Sequence, residues 1–201
     1  MGKKGVVMMA RYEFNGIETK NLILRRFEEG DIKKFYAYRN HPEIRRYVGE
    51  GWCDCTYEKA KEFIKKQATA QPKKPNQWFQ IAIEKKNLRE LVGDLGIYTR
   101  ESDENQLQMF VTIAPNYQQE GFAEEAIKAA LDFVFESLDV EQVIAIVDIR
   151  NAGAARLLER LEFKRHGDFT SNEEVDGEDV TEHLFVISKK QWIQKKSPRL
   201  N

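Results

Sequence analysis

Ile113–Ala114–Pro115–Asn116–Tyr117–Gln118–Gln119–Glu120–Gly121–Phe122–Ala123–Glu124–Glu125–Ala126 joins two unlike patterns through one turn. Upstream, residues 107–114 are apolar enough for a strand central in a sheet, and Pro115 ends it. Downstream, Ala126, Ile127, Ala130, Leu131, Val134 and Phe135 recur at steps of three and four, which predicts a long helix. The start of that helix leaves backbone N–H groups unpaired and concentrates positive partial charge there. Gly121 permits a backbone geometry, and a close approach, that a side chain would obstruct. Such a turn can hold a pyrophosphate through main-chain donors alone. Neither the Gly-x-x-x-x-Gly-Lys-Ser/Thr nor the Gly-x-Gly-x-x-Gly pattern is present, and one glycine before a helix is also ordinary loop chemistry.

Working outward, residues 143–147 read as a buried strand, 154–161 as a further helix, and 163–170 and 183–187 as two closing strands before a Lys-rich tail. Toward the N-terminus a strand covers residues 22–25. Glu28, Glu29 and Asp31 then suit the start of a helix whose apolar face is Ile32, Phe35, Tyr36 and Tyr38. Pro42 opens a second, short helix, and Thr56 caps a third that carries Ala60, Phe63 and Ile64. Residues 78–83 and 91–98 form a hairpin. This order predicts an α+β (mixed α/β) fold rather than an all-parallel dinucleotide fold.

The chain has 201 residues, 41% hydrophobic and 32% charged, with 5 Pro and 12 Gly, which excludes collagen-like and broadly disordered classes. We divide it into an N-terminal extension over 1–18, one domain over 19–192 and a tail over 193–201. A net charge of -1 gives no global basic field, so no nucleic-acid partner is expected. The basic start Met1–Gly2–Lys3–Lys4 precedes an apolar run too short for a membrane span or a secretory h-region. The expectation is a cytoplasmic monomer or homodimer with no membrane partner. Cys53 and Cys55 lack the second pair that a zinc site needs, so no metal is expected and the thiols read as reduced.

Gln118-x-x-Gly121-x-Ala123 resembles the Gln/Arg-x-x-Gly-x-Gly/Ala signature of the GNAT acyl-CoA N-acyltransferases. Residues 113–118 with Glu125–Ala126, and Asn151-x-x-Ala154 running to Leu158–Glu159–Arg160–Leu161–Glu162–Phe163, resemble the branch of ribosomal-protein alanine and serine N-acetyltransferases. Leu24–Arg25–Arg26, Arg39–Asn40–His41–Pro42–Glu43–Ile44 and the closing stretch from Glu182 to Trp192 are similar to the same branch, so the resemblance spans residues 19–192. It implies a central mixed, mostly antiparallel sheet with a V-shaped splay between two parallel strands, here residues 107–114 and 143–149. It also implies acetyl-CoA as co-substrate. Main-chain groups of Val111 and Ile113 would pair with pantetheine amides, and a backbone N–H of the same strand would polarise the thioester carbonyl. Gln118, Gln119, Glu120, Gly121, Phe122 and Ala123 would hold the pyrophosphate. Asn151 would hydrogen-bond cofactor or water, alongside its plain reading as a helix cap.

Several residues depart from that pattern. Gln108 stands where many relatives carry a Glu base, and a neutral amide cannot take a proton. Leu158 stands where some relatives carry a tyrosine acid, Ala154 replaces a frequent Ser, and Glu162 replaces a usual Gly. Phe110 replaces a small residue, either narrowing the acceptor tunnel or packing in the core. Glu120, Glu124 and Glu125 crowd the anion site, and Glu120 would repel a bound pyrophosphate. Asp94, in a strand with glycines nearby, is a candidate base. His41, His166 and His183 read as surface or strand residues. Trp52, Cys53 and Cys55 read equally as acceptor-cleft lining or as an aromatic loop. The implied activity is direct acetyl transfer from acetyl-CoA to a primary amine, first a protein N-terminal amine. The alternatives are a small amine (aminoglycoside or polyamine) and a non-catalytic acyl-CoA-binding module.

Overall fold

Strand β5 (Asp103–Ile113) buries Leu107, Met109 and Ile113 and leaves Gln108 and Phe110 half-buried, so its two faces do different work. The computed structural model describes residues 12–47, 55–175 and 178–196. The other strands are β1 (Ile17–Glu18), β2 (Leu22–Arg25), β3 (Gln77–Lys85), β4 (Glu90–Arg100), β6 (Gln142–Asp148), β7 (Lys164–Val175) and β8 (Glu178–Ser188). They form one sheet in the order β1-β2-β3-β4-β5-β6-β8-β7, and every neighbouring pair is antiparallel except β5 with β6. The chain is therefore α+β, with a mixed and mostly antiparallel sheet.

The helices are α1 (Ile32–Arg39), α2 (Pro42–Arg45), α3 (Tyr57–Ala68), α4 (Phe122–Ser137), α5 (Ala152–Arg160) and α6 (Lys189–Lys196). On one side of the sheet, Ala126, Ile127, Ala130, Leu131, Val134 and Phe135 of α4 share a core with Leu107, Met109 and Val143. On the other side Phe27, Phe35, Ala60 and Ile64 form a second core under α1 and α3, with Phe35 stacked on Phe63 at 5.0 Å. Among the described residues no helix is long and apolar enough to cross a membrane.

Three expectations need correction. Residues 12–18 are not an extension: Phe14 is buried edge-on between Phe79 and Phe133, and β1 pairs with β2. The fold also continues past Trp192, because α6 runs to Lys196 while Trp192 Nε1 donates to Asp132 Oδ1 at 2.6 Å. The two closing strands are longer than their apolar cores suggested, and β8 lies between β6 and β7, where it pairs with both.

Two local devices hold the site's elements. Glu125, in the first turn of α4, accepts from Thr19 Oγ1 and Asn21 N at 2.6 Å and from Asn21 Nδ2 at 2.8 Å, tying that helix to the β1–β2 hairpin. Burial works to raise its pKa, but the bonds from Thr19, Asn21 and the Leu22 backbone outweigh it and hold the carboxylate below the ordinary glutamate range. Helix α5 ends in a Schellman turn, in which Phe163 N donates to Leu158 O and Glu162 N to Glu159 O, with Glu162 left-handed at φ 68.

Glu162→Gly should raise stability by about 1 kcal/mol, because the left-handed conformation costs a non-glycine residue roughly 1–2 kcal/mol. The lost ion pair to Lys195 at 3.3 Å is exposed and offsets little of that gain. In a thermal melt this appears as a rise of about 2–4 °C. Glu125→Gln should cost about 2 kcal/mol at neutral pH. A depressed folded-state pKa contributes stability above the unfolded value and loses it as pH falls through the folded one. The difference between wild type and variant should therefore close as denaturant melts are taken to acid pH, below 4.5.

Candidate active site

Strands β5 and β6 pair only at Gln106 with Gln142, Leu107 with Val143, and Gln108 with Ile144. Beyond that point β5 stays bound to β4 as far as Ile113 opposite Gly93, while β6 stays bound to β8 as far as Asp148 opposite Glu182. Each half of the sheet keeps a partner on its far side, and the two halves part after Gln108. A cleft of about 940 Å³ opens there, lined by residues 109–113 of one strand and 145–148 of the other. At its α4 and α5 end stand Gln118, Ile127, Asn151, Gly153, Ala154, Leu157 and Leu158. At its α1 and α2 end stand Arg39, Glu43, Ile44, Arg46, Tyr47, Trp78 and Arg100, facing Phe169, Thr170 and Glu182 of the β7–β8 hairpin.

The turn before α4 contains two left-handed residues, Gln119 at φ 63 and Gly121 at φ 84. Gly121 is the N-cap, and a Cβ built there would meet nothing within 4 Å. The backbone conformation, not protein crowding, is what requires glycine at this position. Gln118 Nε2 donates to Ile113 O at 3.1 Å and ties the turn to the end of β5. Val111, Ile113, Gln118 and Asn151 line the cleft. Gln119, Glu120, Gly121, Phe122 and Ala123 instead form the turn and first helical residues between cleft-lining Gln118 and Ile127.

The acids expected to crowd this turn each have partners in the fold. Lys85 Nζ donates to Glu120 Oε2 at 2.8 Å and lies 4.8 Å from the Phe122 ring centroid and 5.4 Å from that of Tyr117. Glu124 pairs with Lys128 at 2.7 Å and with Arg160 at 3.4 Å, and Glu125 is occupied by the β1–β2 hairpin. Glu120 and Glu124 thus each have a local counter-ion, and Glu125 has neutral hydrogen-bond donors. Lys85 is a functional candidate that sequence reading missed, since nothing near position 85 marks it.

Asn151 Oδ1 accepts from Ala154 N at 3.0 Å as the α5 cap, and the residue also lines the cleft. Gln108 lies at the vertex where the strands part, as their last paired residue, with its side chain toward the cleft. The candidate base Asp94 is placed elsewhere. It is fully buried, absent from the cleft lining, and accepts from Tyr38 Oη at 2.7 Å and from Arg39 Nη2. Burial pushes its pKa above the ordinary aspartate value against the pull of Arg39 and Tyr38. It acts as the counter-ion that holds Arg39 in the cleft wall.

His41 caps α2, its Nδ1 accepting from Glu43 N at 3.3 Å, and His183 Nδ1 meets Asp168 at 2.6 Å; neither lines the cleft. Cys55 lies outside the lining too, and burial pushes its thiol up, away from the thiolate form. Trp52 and Cys53 lie outside the described residues.

Residues 21–164 match the family model of the acetyltransferase (GNAT) domain. The N-acetyltransferase YnaD of Bacillus subtilis is 27% identical over 176 residues, covering 88% of this chain and 98% of the relative. The spermidine N(1)-acetyltransferase of Vibrio cholerae is 28% identical over 175 residues, covering 86% and 96%. The fold is shared with RimL, the ribosomal L7/L12 alpha-N-protein acetyltransferase solved in complex with coenzyme A, at a TM-score of 0.74 and 13% identity over 88% of this chain and 99% of that one.

Asp94→Asn should destabilise the fold by about 3 kcal/mol in a denaturant melt, because it leaves Arg39 buried beside a neutral amide. Lost turnover with unchanged stability would return Asp94 to a chemical role.

Proposed function

Because this chain belongs to the GNAT acetyltransferase family, we propose that its acetyl-CoA-dependent reaction is direct transfer to the N-terminal amine of a protein. The observation that carries this reading is the parting of β5 and β6 after Gln108, with a cleft that reaches both sides of the sheet. The donor enters at the α4 and α5 end and the acceptor at the α1 and α2 end, so the two meet beside Gln108.

Acetyl-CoA, when bound, supplies an activated thioester carbonyl to the amine. The chain's own groups do the rest. N–H groups of the turn from Gln118 to Ala123, with the positive end of α4, present donors to a pyrophosphate. Main chain at Val111 and Ile113, without a β6 partner, offers strand-like pairing to a flexible amide chain. Ile113 O already accepts from Gln118, and its second lone pair leaves room to share. In this reading a main-chain N–H of the same strand stabilises the charge developing on the thioester oxygen. Asn151 Nδ2 and the start of α5 complete the wall. Gln108 takes no proton, so as the C–N bond forms and the C–S bond breaks the amine proton passes to water at the open acceptor end, and the leaving thiolate takes a proton back from water. No cysteine among the described residues lines the cleft, which supports transfer without an acyl-enzyme.

A small amine is the second reading, favoured by the spermidine acetyltransferase among the relatives. The acceptor end carries Arg46 and Arg100 beside Glu43 and Glu182. Among the described residues this mixed set offers no acidic excess for a polycation, which supports the peptide amine.

Acetyl-CoA should raise the melting temperature by mass action, and Gly121→Val should abolish that shift while lowering the melt of the free protein by only a few degrees. Thiol release in a screen of short peptides and small amines should show peptides with a free N-terminus as the better acceptors. Faster turnover of polyamines would favour the second reading, and no melting shift at millimolar acetyl-CoA would overturn both.

A further inference from the structure

We infer that Phe110 sets the size of the group an acceptor can carry beside its amine. The inference rests on the proposed entry of the acceptor from the α1 and α2 end. Leu107, Met109 and Ile113 of β5 face the α4 core, so Phe110 and Gln108 point to the opposite face, into the cleft wall. Phe110 pairs across the ladder with Gly96, and its ring rests against that glycine. A Cβ at position 96 would lie 2.4 Å from the ring's Cε1 and 2.8 Å from its Cζ. Gln80 Nε2, on the next strand, lies 2.8 Å from the same point, so the ring cannot sink further toward the sheet. Trp78 meets Phe110 edge-on with centroids 5.0 Å apart, and the Arg39 guanidinium stands 5.7 Å from the ring centroid. Arg39 is itself held by Asp94.

Among the described residues, sheet, indole and guanidinium restrain the ring, which also borders the cleft two residues from the point where the strands part. A phenyl ring held this way is a wall and not a mobile lid. A primary amine on a carbon bearing hydrogen, methyl or hydroxymethyl passes it, and one on a carbon bearing isobutyl or benzyl meets it. The shared chemistry of the acceptor is a primary amine with a small neighbouring substituent, which a peptide beginning with Gly, Ala or Ser supplies and a small free amine also supplies.

The test compares kcat/KM on two series. One is tripeptides that differ only in the first residue (Ala, Ser, Leu, Phe), and the other is free amines with matched substituents on the amine-bearing carbon. Wild type should favour the small substituent. Phe110→Ala should shift the large-to-small ratio at least about tenfold, the discrimination that a few carbons in a pocket provide. Phe110→Leu should give an intermediate shift. An unchanged ratio in both series would overturn the inference. Turnover of the amines alone would overturn the N-terminal reading and still decide the role of Phe110, and turnover of neither series would overturn both. A second measurement needs no substrate. In denaturant melts Gly96→Ala should cost much less stability in the Phe110→Ala background than in wild type. Equal costs would show that the ring does not rest on Gly96 and would overturn the inference.

Discussion

The parting of β5 from β6 is the constraint on which the site depends. Two parallel strands linked through a helix would ordinarily keep their ladder along their length, but these keep only Gln106, Leu107 and Gln108 in register with β6. The cost of leaving main-chain groups unpaired is offset because each strand retains its full antiparallel partner on the far side, β4 for one and β8 for the other. The split is therefore stable, and it leaves polar backbone along a deep cleft where an amide-bearing chain can complete it. Helix α4 packs across the core side of this sheet and brings its positive end beside the opening.

Electrostatics around the cleft are organised as local pairs. Asp94 offsets Arg39, Lys85 offsets Glu120, and Arg150 offsets Asp148 at 2.6 Å. Charges neutralised in place let aromatic and main-chain groups shape the walls while the mouth stays mixed in sign. The Arg39–Asp94 pair has the largest structural role, since it is buried and also steadies the wall that carries Phe110.

Much of the architecture was legible in the chain. The step-of-three-and-four pattern from Ala126 to Phe135 marks α4, and Gly121 ahead of it marks the left-handed cap that the structure contains at φ 84. Glu162, which stands where relatives usually carry Gly, is left-handed at φ 68. Asn151 is the helix cap its plain reading suggested, and it also lines the cleft. The N-terminal boundary was misread, because a single Phe14 carries no periodicity to announce that it plugs a gap between Phe79 and Phe133.

What the sequence by itself determined follows from short-range physics. Side-chain periodicity, caps and turns act within a few residues, so the order of strands and helices and the glycine turn before α4 could be read directly. Only the tertiary structure decided the partners. Asp94 becomes a counter-ion because Arg39 lies 55 residues earlier, Glu120 is neutralised by a lysine 35 residues away, and Glu125 is fixed by Thr19 across 106. The seat of Phe110 on Gly96 depends on ladder register in the same way. Coulomb and packing forces act through space, and no pattern along one chain records which distant residue the fold will bring within 3 Å.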